Sequence, residues 1–158
     1  MKILGVDPGL AGAMCVIDVS DDAAPQLVAV LDLPIIGDGA KRRVDVRAIY
    51  DWVQTHRPQH AYLEHSSARP GQGVAGIFRY ARACGCIETV VALAKIPTTI
   101  IAPAKWKGFF GLAGGDKEND RLKALQLIPS AQWLARKKDH QRADAILLAL
   151  YGEKHAQV

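Results

Sequence analysis

Four separated positions carry side chains with which this chain could hold a divalent metal ion. Asp7 and Glu64 each end a short apolar run, and His140 and Asp144 open a later apolar segment with helical spacing. A carboxylate is costly to bury without a partner or a cation, and hard cations such as Mg²⁺ and Mn²⁺ take oxygen ligands. We therefore interpret Asp7, Glu64, His140 and Asp144 as candidate catalytic residues around a metal site.

Each position also has a purely structural interpretation. Asp7 precedes Pro8-Gly9 and could cap that turn, Glu64 could be solvated at a strand end, and His140 could be a surface residue. Asp139 is well placed to be the N-cap of the last helix. No single signal is strong, but all of them fall in order at the boundaries of predicted elements.

The charge distribution indicates what the site could act on. The formal net charge is +4, and residues 105–138 contain eight basic and three acidic residues. A basic surface beside a carboxylate cluster predicts a polyanion held over a metal centre, as in a nuclease. The alternative is a solvated surface that keeps the protein in solution. We expect these lysines to be exposed, so that replacing them barely changes stability.

Length and composition predict one domain, residues 1–158, with a sizeable core. No apolar run reaches the ~18 residues of a membrane span. The three cysteines Cys15, Cys84 and Cys86 form no disulfide framework. Free thiols are the favoured interpretation, and half of a metal site is the alternative. We expect a cytoplasmic protein with no membrane partner.

Apolar patterning predicts the elements that position these side chains. Strands are expected at 2–7, 12–19, 26–32, 60–64 and 97–102, and helices at 45–56, from 74 onward, and at 103–110, 117–127 and 140–151. Turns or loops are expected at 20–22, 34–43 and 66–73. This order predicts an α/β fold, a ribonuclease H-like mixed five-stranded sheet flanked by helices.

Helical spacing also predicts which residues face the core. On the first helix these are Val46, Ile49, Tyr50 and Val53, and on the second they are Val74, Ile77, Phe78, Ala81 and Cys84. Alternation along the strands places Asp7 on one face with Ile3 and Gly5, and Glu64 with Tyr62.

Six stretches, in order over most of the chain, carry a resemblance to a known family. They are Gly5-Val-Asp-Pro-Gly9, Glu64 with the following Arg69-Pro-Gly-Gln-Gly-Val74, Ile96-Pro97, Pro103-Ala-Lys-Trp-Lys107, Asp116-Lys117 and Arg136-Lys-Lys-Asp-His-Gln-Arg-Ala-Asp144. On these residues the chain resembles the RuvC family of Holliday junction resolvases, and most closely its phage-associated branch.

The resemblance implies a structure-selective, metal-dependent endonuclease, a crossover junction endodeoxyribonuclease, that cleaves four-way DNA junctions in recombination or phage DNA processing. It implies a homodimer and two Mg²⁺ or Mn²⁺ ions per active site, held by Asp7, Glu64 and Asp144. It also places DNA-contacting lysines at Lys105, Lys107 and Lys117. We add the other basic residues of the same run to the predicted DNA surface: Arg121, Lys137 and Lys138.

The chain departs from the family at two places. Many members carry an acidic residue or His three positions before the last Asp, where this chain has Gln141. His140 or Asp139 could take over as the remaining ligand. The aromatic wedge that cellular members place after the second acidic residue is missing, and Phe78 or Tyr80 could supply it.

Three alternatives stay open at this point. Another nuclease with the same fold could act on forks, flaps or RNA–DNA hybrids. A protein with a decayed site could bind junctions without cleaving them, although Asp7, Glu64 and Asp144 are all present. A small ATP-binding module is disfavoured because the chain has no P-loop and no second domain.

Overall fold

The computed structural model describes residues 1–20, 23–65, 67–68, 71, 73–130 and 132–155. Its strands are β1 (Lys2–Asp7), β2 (Ala13–Ser20), β3 (Ala23–Asp32), β4 (Ile35–Ile36), β5 (Arg43–Val44), β6 (His60–Glu64) and β7 (Thr98–Ile101). Its α-helices are α1 (Val46–His56), α2 (Val74–Leu93), α3 (Pro103–Phe109), α4 (Lys117–Leu127) and α5 (His140–His155).

The central sheet has five strands in the order β3-β2-β1-β6-β7. The first three strands pair antiparallel, and β6 and β7 continue in parallel with β1. The predicted α/β fold with a mixed five-stranded sheet is confirmed. The segment predicted as a loop at 34–43 also contains β4 and the start of β5, which pair with each other. Two-residue strands are too short for alternation to reveal.

Each face of the sheet carries its own apolar core. Ile3 and Tyr62 pack with the apolar side chains of α5, whereas Leu4 and Leu63 pack with α1 and α2. The predicted alternation along β1 and β6 therefore holds. Asp7 and Glu64 continue the register of Ile3 and Tyr62, so both carboxylates belong to the α5 side.

Two glycines let α5 lie directly on the sheet. A Cβ atom at Gly5 would overlap the Ala145 carbonyl oxygen, and a Cβ at Gly152 would overlap the Tyr62 ring. Close packing leaves no room for a side chain at either position. The position of α5 relative to the ends of β1 and β6 is thereby fixed.

The predicted core face of α2 is wrong over its first turns. Val74 is 84% exposed and Phe78 is 67% exposed, and Ala81 is exposed as well. The buried face begins at Ala83 and Cys84, because only the second half of α2 packs on the sheet. On α1, Ile49 and Val53 are buried as expected, but Val46 and Tyr50 are exposed.

Parts of two predicted connections fall outside the described residues: 21 and 22 of the turn at 20–22, and 66, 69, 70 and 72 of the loop at 66–73. The three cysteines are free thiols, as favoured; Cys15 and Cys84 are buried and Cys86 is partly buried. Within the described part of the chain, no helix is both long and apolar enough to cross a membrane.

Candidate active site

Three carboxylates line one cavity at an edge of the sheet. β1 and β6 are parallel neighbours, so Asp7 and Glu64 at their carboxyl ends come to the same edge. Asp144 lies in the second turn of α5, which packs across these strands. The cavity has a volume of about 340 Å³, and His140 also lines it. The fold thus brings together the four residues that the sequence predicted as catalytic.

Mutual repulsion and burial dominate the electrostatics of this cavity. Burial and the neighbouring Glu64 raise the pKa of Asp7 from 3.8 to about 8. Burial and the charge of Asp7 likewise raise the pKa of Asp144. Lys107 and Lys117 act in the opposite direction on Asp7 but do not offset the shift. At neutral pH the cluster therefore lacks the positive charge that would keep all its carboxylates ionised.

The donor atoms fit a hard divalent cation. The Oδ1 atom of Asp144 is buried and has no hydrogen-bond partner among the described residues, and such an atom carries a desolvation cost. A cation bound by carboxylate oxygens would remove that cost and the repulsion together. As the side chains stand, no three Asp, Glu, His or Cys residues of the described part form a ready metal site.

Lys107 and Lys117 approach the carboxylates from α3 and α4. Both line the cavity, but their environments differ. Lys117 is exposed at the first position of α4. Lys107 is partly buried and pairs with Asp120 at 2.8 Å, and Asp120 is only 1% exposed. The expectation that these lysines are freely exposed is therefore wrong for Lys107.

Asp139 does not enter the carboxylate cavity. It lines an adjacent cavity together with Asp32, Arg136 and Arg142. Its carboxylate accepts hydrogen bonds from the backbone N–H of Arg136 at 2.9 Å and from the Arg136 guanidinium at 2.7 Å. Its side chain thus bonds back to the preceding loop. From α5, the N–H of Ala143 donates to the carbonyl oxygen of Asp139 at 3.1 Å, and among the described residues no N–H of α5 is seen to donate to its side chain, as the predicted N-cap would require.

Gln141 lies between the two cavities and lines both of them. Many members of the family carry an acidic residue or His at this position. In this chain the same position also faces the site, but its side chain is the amide of Gln141. Of the two residues proposed to replace the missing ligand, His140 lines the carboxylate cavity and Asp139 does not. The geometry favours His140.

A partner of Glu64 was missed in the sequence. The indole Nε1–H of Trp106 donates a hydrogen bond of 2.8 Å to Oε2 of Glu64. Trp106 is fully buried in α3, next to Lys107. The Trp-Lys pair was visible in the sequence, but the hydrogen bond to Glu64 joins residues that are 42 positions apart.

The remaining predicted DNA-contacting residues divide into two groups. Lys105, Lys137 and Lys138 are exposed. Arg121 is only partly exposed, and its guanidinium bonds to Glu118 at 2.6 Å and to the carbonyl of Leu134 at 2.7 Å. Arg121 therefore ties α4 to the segment before α5, and little of its charge is presented outward.

A second basic surface was not predicted. Arg42, Arg43, Arg79 and Arg82 line a pocket beside Phe78, and all four arginines are exposed. In the described part of the chain none of them forms an ion pair. Leu10 lines both this pocket and the carboxylate cavity, so the two are adjacent. We name these four arginines and Phe78 the arginine surface.

The two aromatic residues considered for a wedge lie in different surroundings. Phe78 is exposed on the arginine surface. Tyr80 lines the carboxylate cavity, where its ring lies against the turn at Gly9. Gly9 has a φ of +124°, a conformation that favours glycine, and a Cβ atom there would touch the Tyr80 ring. Of the two, Phe78 is the one with an open side for contact with DNA.

Two curated proteins are similar to the chain over most of its length. The crossover junction endodeoxyribonuclease RuvC of Saccharopolyspora erythraea is 25% identical over 157 residues, which cover 95% of this chain and 75% of that protein. The protein of the same name from a Nocardioides species is 26% identical over 162 residues, which cover 95% and 85%. No protein-family model matches the chain.

Solved structures share the fold at lower identity. RuvC of Thermus thermophilus aligns with a TM-score of 0.72 and 19% identity, covering 99% of this chain and 95% of that one. Its complex with a Holliday junction substrate aligns with a TM-score of 0.77 and 18% identity, covering 99% and 94%. The yeast mitochondrial Holliday junction resolvase aligns with a TM-score of 0.64 and 16% identity, covering 93% and 75%. The chain is therefore similar in sequence to RuvC proteins over most of its length and shares the fold of their solved structures.

Proposed function

We propose that the protein is a crossover junction endodeoxyribonuclease that cleaves four-way DNA junctions in recombination or phage DNA processing. The observation that carries the proposal is the cavity in which Asp7, Glu64 and Asp144 meet with His140 and two lysines. The similarity to RuvC proteins over most of the chain supports the choice of substrate.

We propose that Asp7, Glu64 and Asp144 hold two Mg²⁺ or Mn²⁺ ions, with His140 as the remaining ligand or as a proton acceptor. When bound there, the ions would supply a nucleophile from water and would stabilise the leaving oxygen of the phosphodiester. Asp7 interacts electrostatically with both Glu64 and Asp144, and all three carboxylates would hold the ions. Lys107 and Lys117 would neutralise the scissile phosphate.

The basic residues outside the cavity would hold the junction arms. Lys105 is exposed on α3, whose Pro103 and Lys107 line the cavity, and the arginine surface adjoins the cavity at Leu10. Arginine suits this role because its planar guanidinium bonds phosphate in a bidentate manner. Phosphate contacts position the DNA, and the shape of the junction selects it.

We propose a homodimer, because a two-fold symmetric junction suits a two-fold symmetric protein. An exposed apolar groove of about 800 Å³ between α1 and α2 supports this proposal. Val46, Tyr50 and Leu93 line it, and Leu93 is 69% exposed. Leu93→Asp should yield a monomer in sedimentation experiments, while Leu122→Asp, on the exposed side of α4, should leave the dimer unchanged.

The substrate and the free thiols are compatible with a cytoplasmic location, in a bacterium or a phage-infected cell, and we propose that location. Detection of the protein in the cytoplasmic fraction of the host would test it.

The decisive experiment incubates the protein with a labelled four-way junction and a matched linear duplex, with and without Mg²⁺. We expect cleavage of the junction alone and only with the metal. Flap, fork and RNA–DNA hybrid substrates distinguish a nuclease of the same fold with another preference. Binding to the junction without cleavage under any metal would indicate a non-catalytic junction-binding protein and contradict the proposal.

A further inference from the structure

Trp106 is the largest completely buried side chain in the described part of the chain, and its only polar side-chain atom is directed at the candidate active site. It is 0% exposed, and its Nε1–H donates to Oε2 of Glu64 at 2.8 Å. A buried indole N–H needs a partner, because an unpaired donor carries a desolvation cost. Here the partner is one of the three carboxylates of the cavity.

The local fold holds this indole firmly in place. Glu64 is paired in the sheet with Ile101, the last residue of β7, and α3 begins at Pro103 directly afterwards. The short connection brings Trp106 back against the end of β6. Its ring packs in the core below α5, and the ammonium of Lys107 lies 5.0 Å from the ring centroid.

The hydrogen bond therefore orients the carboxyl group of Glu64. A glutamate at the end of a strand has three rotatable side-chain bonds, and an immobile donor restricts them to the rotamers that reach it. Hydrogen-bond partners of metal-ligating carboxylates fix ligand orientation in this way, and their removal typically lowers metal affinity by ~10–100-fold. Fixing the ligand in advance reduces the entropy cost of binding the metal.

We propose that Trp106 is a positioning residue of the metal site, whose indole N–H holds Glu64 in the orientation that binds the divalent cation. The proposal rests on the proposed function, in which Glu64 is a metal ligand. It assigns Trp106 no contact with substrate. Its effect should therefore appear in metal affinity before it appears in the rate at saturating metal.

The test removes the N–H while keeping the shape of the side chain. Site-specific incorporation of 3-benzothienylalanine at position 106 replaces the N–H by sulfur, and Trp106→Phe serves as a second variant. Trp52→Phe is the matched control, because Trp52 lies on α1 at the opposite face of the sheet, against His56. Mn²⁺ affinity is measured by calorimetry without DNA, and single-turnover junction cleavage is measured across a Mn²⁺ series.

We expect both position-106 variants to bind Mn²⁺ about tenfold more weakly than the wild type. Cleavage should be impaired at low Mn²⁺ and recover at high Mn²⁺, whereas Trp52→Phe should match the wild type in both assays. The thermal midpoint of the benzothienylalanine variant should stay close to that of the wild type. In a Glu64→Gln background, replacing the indole should cause no further decrease in Mn²⁺ affinity.

Equal Mn²⁺ affinity and equal metal dependence of cleavage in the wild type and the benzothienylalanine variant would overturn the proposal. So would an undiminished decrease in affinity in the Glu64→Gln background, because the indole would then act through another group. A wild-type protein that neither binds Mn²⁺ nor cleaves junctions would instead refute the proposed function on which this inference rests.

Discussion

Asp139 and Asp144 lie near the start of the same helix, and their surroundings are opposite. Asp139 is 4% exposed and is paired with Arg136 at 2.7 Å and with Arg142 at 3.7 Å. Asp144 lies beside Asp7 and Glu64, and one of its oxygens has no hydrogen-bond partner among the described residues. Burial opposes ionisation of both, but the hydrogen bonds from Arg136 bring the pKa of Asp139 below its ordinary value.

The difference separates a structural carboxylate from a candidate ligand. The charge of Asp139 is balanced by the protein itself, so the residue joins α5 to the loop before it. Lys107 favours ionisation of Asp144, but burial and the charge of Asp7 oppose it more strongly, so a bound cation or a proton would stabilise this carboxyl group. An unbalanced carboxylate cluster in a cavity is a marker of function, whereas acidity alone is not.

The largest effect that would test this contrast is the abolition of cleavage in Asp7→Asn and Asp144→Asn. Each change removes a metal ligand, and we expect junction cleavage to fall below detection while junction binding is retained or strengthened. Because each change also relieves repulsion, the metal-free variants should unfold at higher temperature than the wild type. Asp139→Asn is the control and should cleave junctions but unfold at lower temperature. Wild-type cleavage by either active-site variant would refute the assignment.

A second comparison concerns the missing ligand at Gln141. His140→Ala should strongly reduce the cleavage rate, because His140 lines the carboxylate cavity. Asp139→Ala should leave the rate unchanged and lower the unfolding free energy by about 2 kcal/mol, the scale of hydrogen bonds to a charged group. Single-turnover rates and urea denaturation measure the two effects. An inactive Asp139→Ala with an active His140→Ala would move the ligand to Asp139.

Lys107, which is paired with Asp120, and Lys117, which is exposed, allow the same kind of comparison between two basic residues. Lys107→Ala and Lys117→Ala should each weaken junction binding and flatten its salt dependence, by ~0.9 in the slope for each phosphate that is no longer neutralised. Lys107→Ala should also lower the unfolding free energy by about 1–3 kcal/mol, because it leaves the buried Asp120 unpaired. Lys117→Ala should not. Unchanged affinity and salt slope in the double variant would mean that this basic run is only a solvated surface.

The arginine surface provides a comparison with the lysines. The double variant with Arg79→Ala and Arg82→Ala should weaken junction binding by a smaller factor than the lysine variants do. It should leave the cleavage rate at saturating DNA unchanged, because these arginines line a pocket separate from the carboxylates. Lys117→Ala should reduce that rate. Fluorescence anisotropy and single-turnover cleavage distinguish the two. A reduced rate in the arginine variant at saturating DNA would contradict the separation of the two surfaces.

The last comparison concerns the dependence of metal-free stability on pH. The pKa of Asp7 is raised on folding, so its contribution to stability is present at low pH and disappears as the pH rises from about 4 toward 8. The pKa of Asp139 is lowered, so its contribution is present above the ordinary value and disappears as the pH falls. Urea denaturation in EDTA should show both slopes. Asp7→Asn should reduce the first slope, to which Asp144 also contributes, and Asp139→Asn should reduce the second, to which Asp32 also contributes.

The sequence predicted the parts of the site that depend on local pattern. Alternation in β1 and β6 placed Asp7 and Glu64 on the correct face, and helical spacing located Asp144 on α5. The mixed five-stranded sheet followed from the order of the elements along the chain. These features are determined by periodicity within short segments, and periodicity is what a single sequence reveals.

Several of the missed features depend on contacts between distant segments. Arg142 bonds to Asp32, which is 110 positions away, and Trp106 bonds to Glu64 at a separation of 42. The arginine surface combines residues before α1 with residues of α2. The exposed first turns of α2 were misread because apolar spacing there resembles a core face although the side chains stay exposed.

The close packing of α5 on Gly5 also has a consequence for how the proposed nuclease is made. Asp7 and Glu64 leave the ribosome well before Asp144, and the ligand set is complete only when α5 docks on the finished sheet. A nascent or partly unfolded chain therefore carries only part of the set. The proposed cleavage activity would begin only when folding is complete, so immature copies of the enzyme should not cleave DNA in the producing cell.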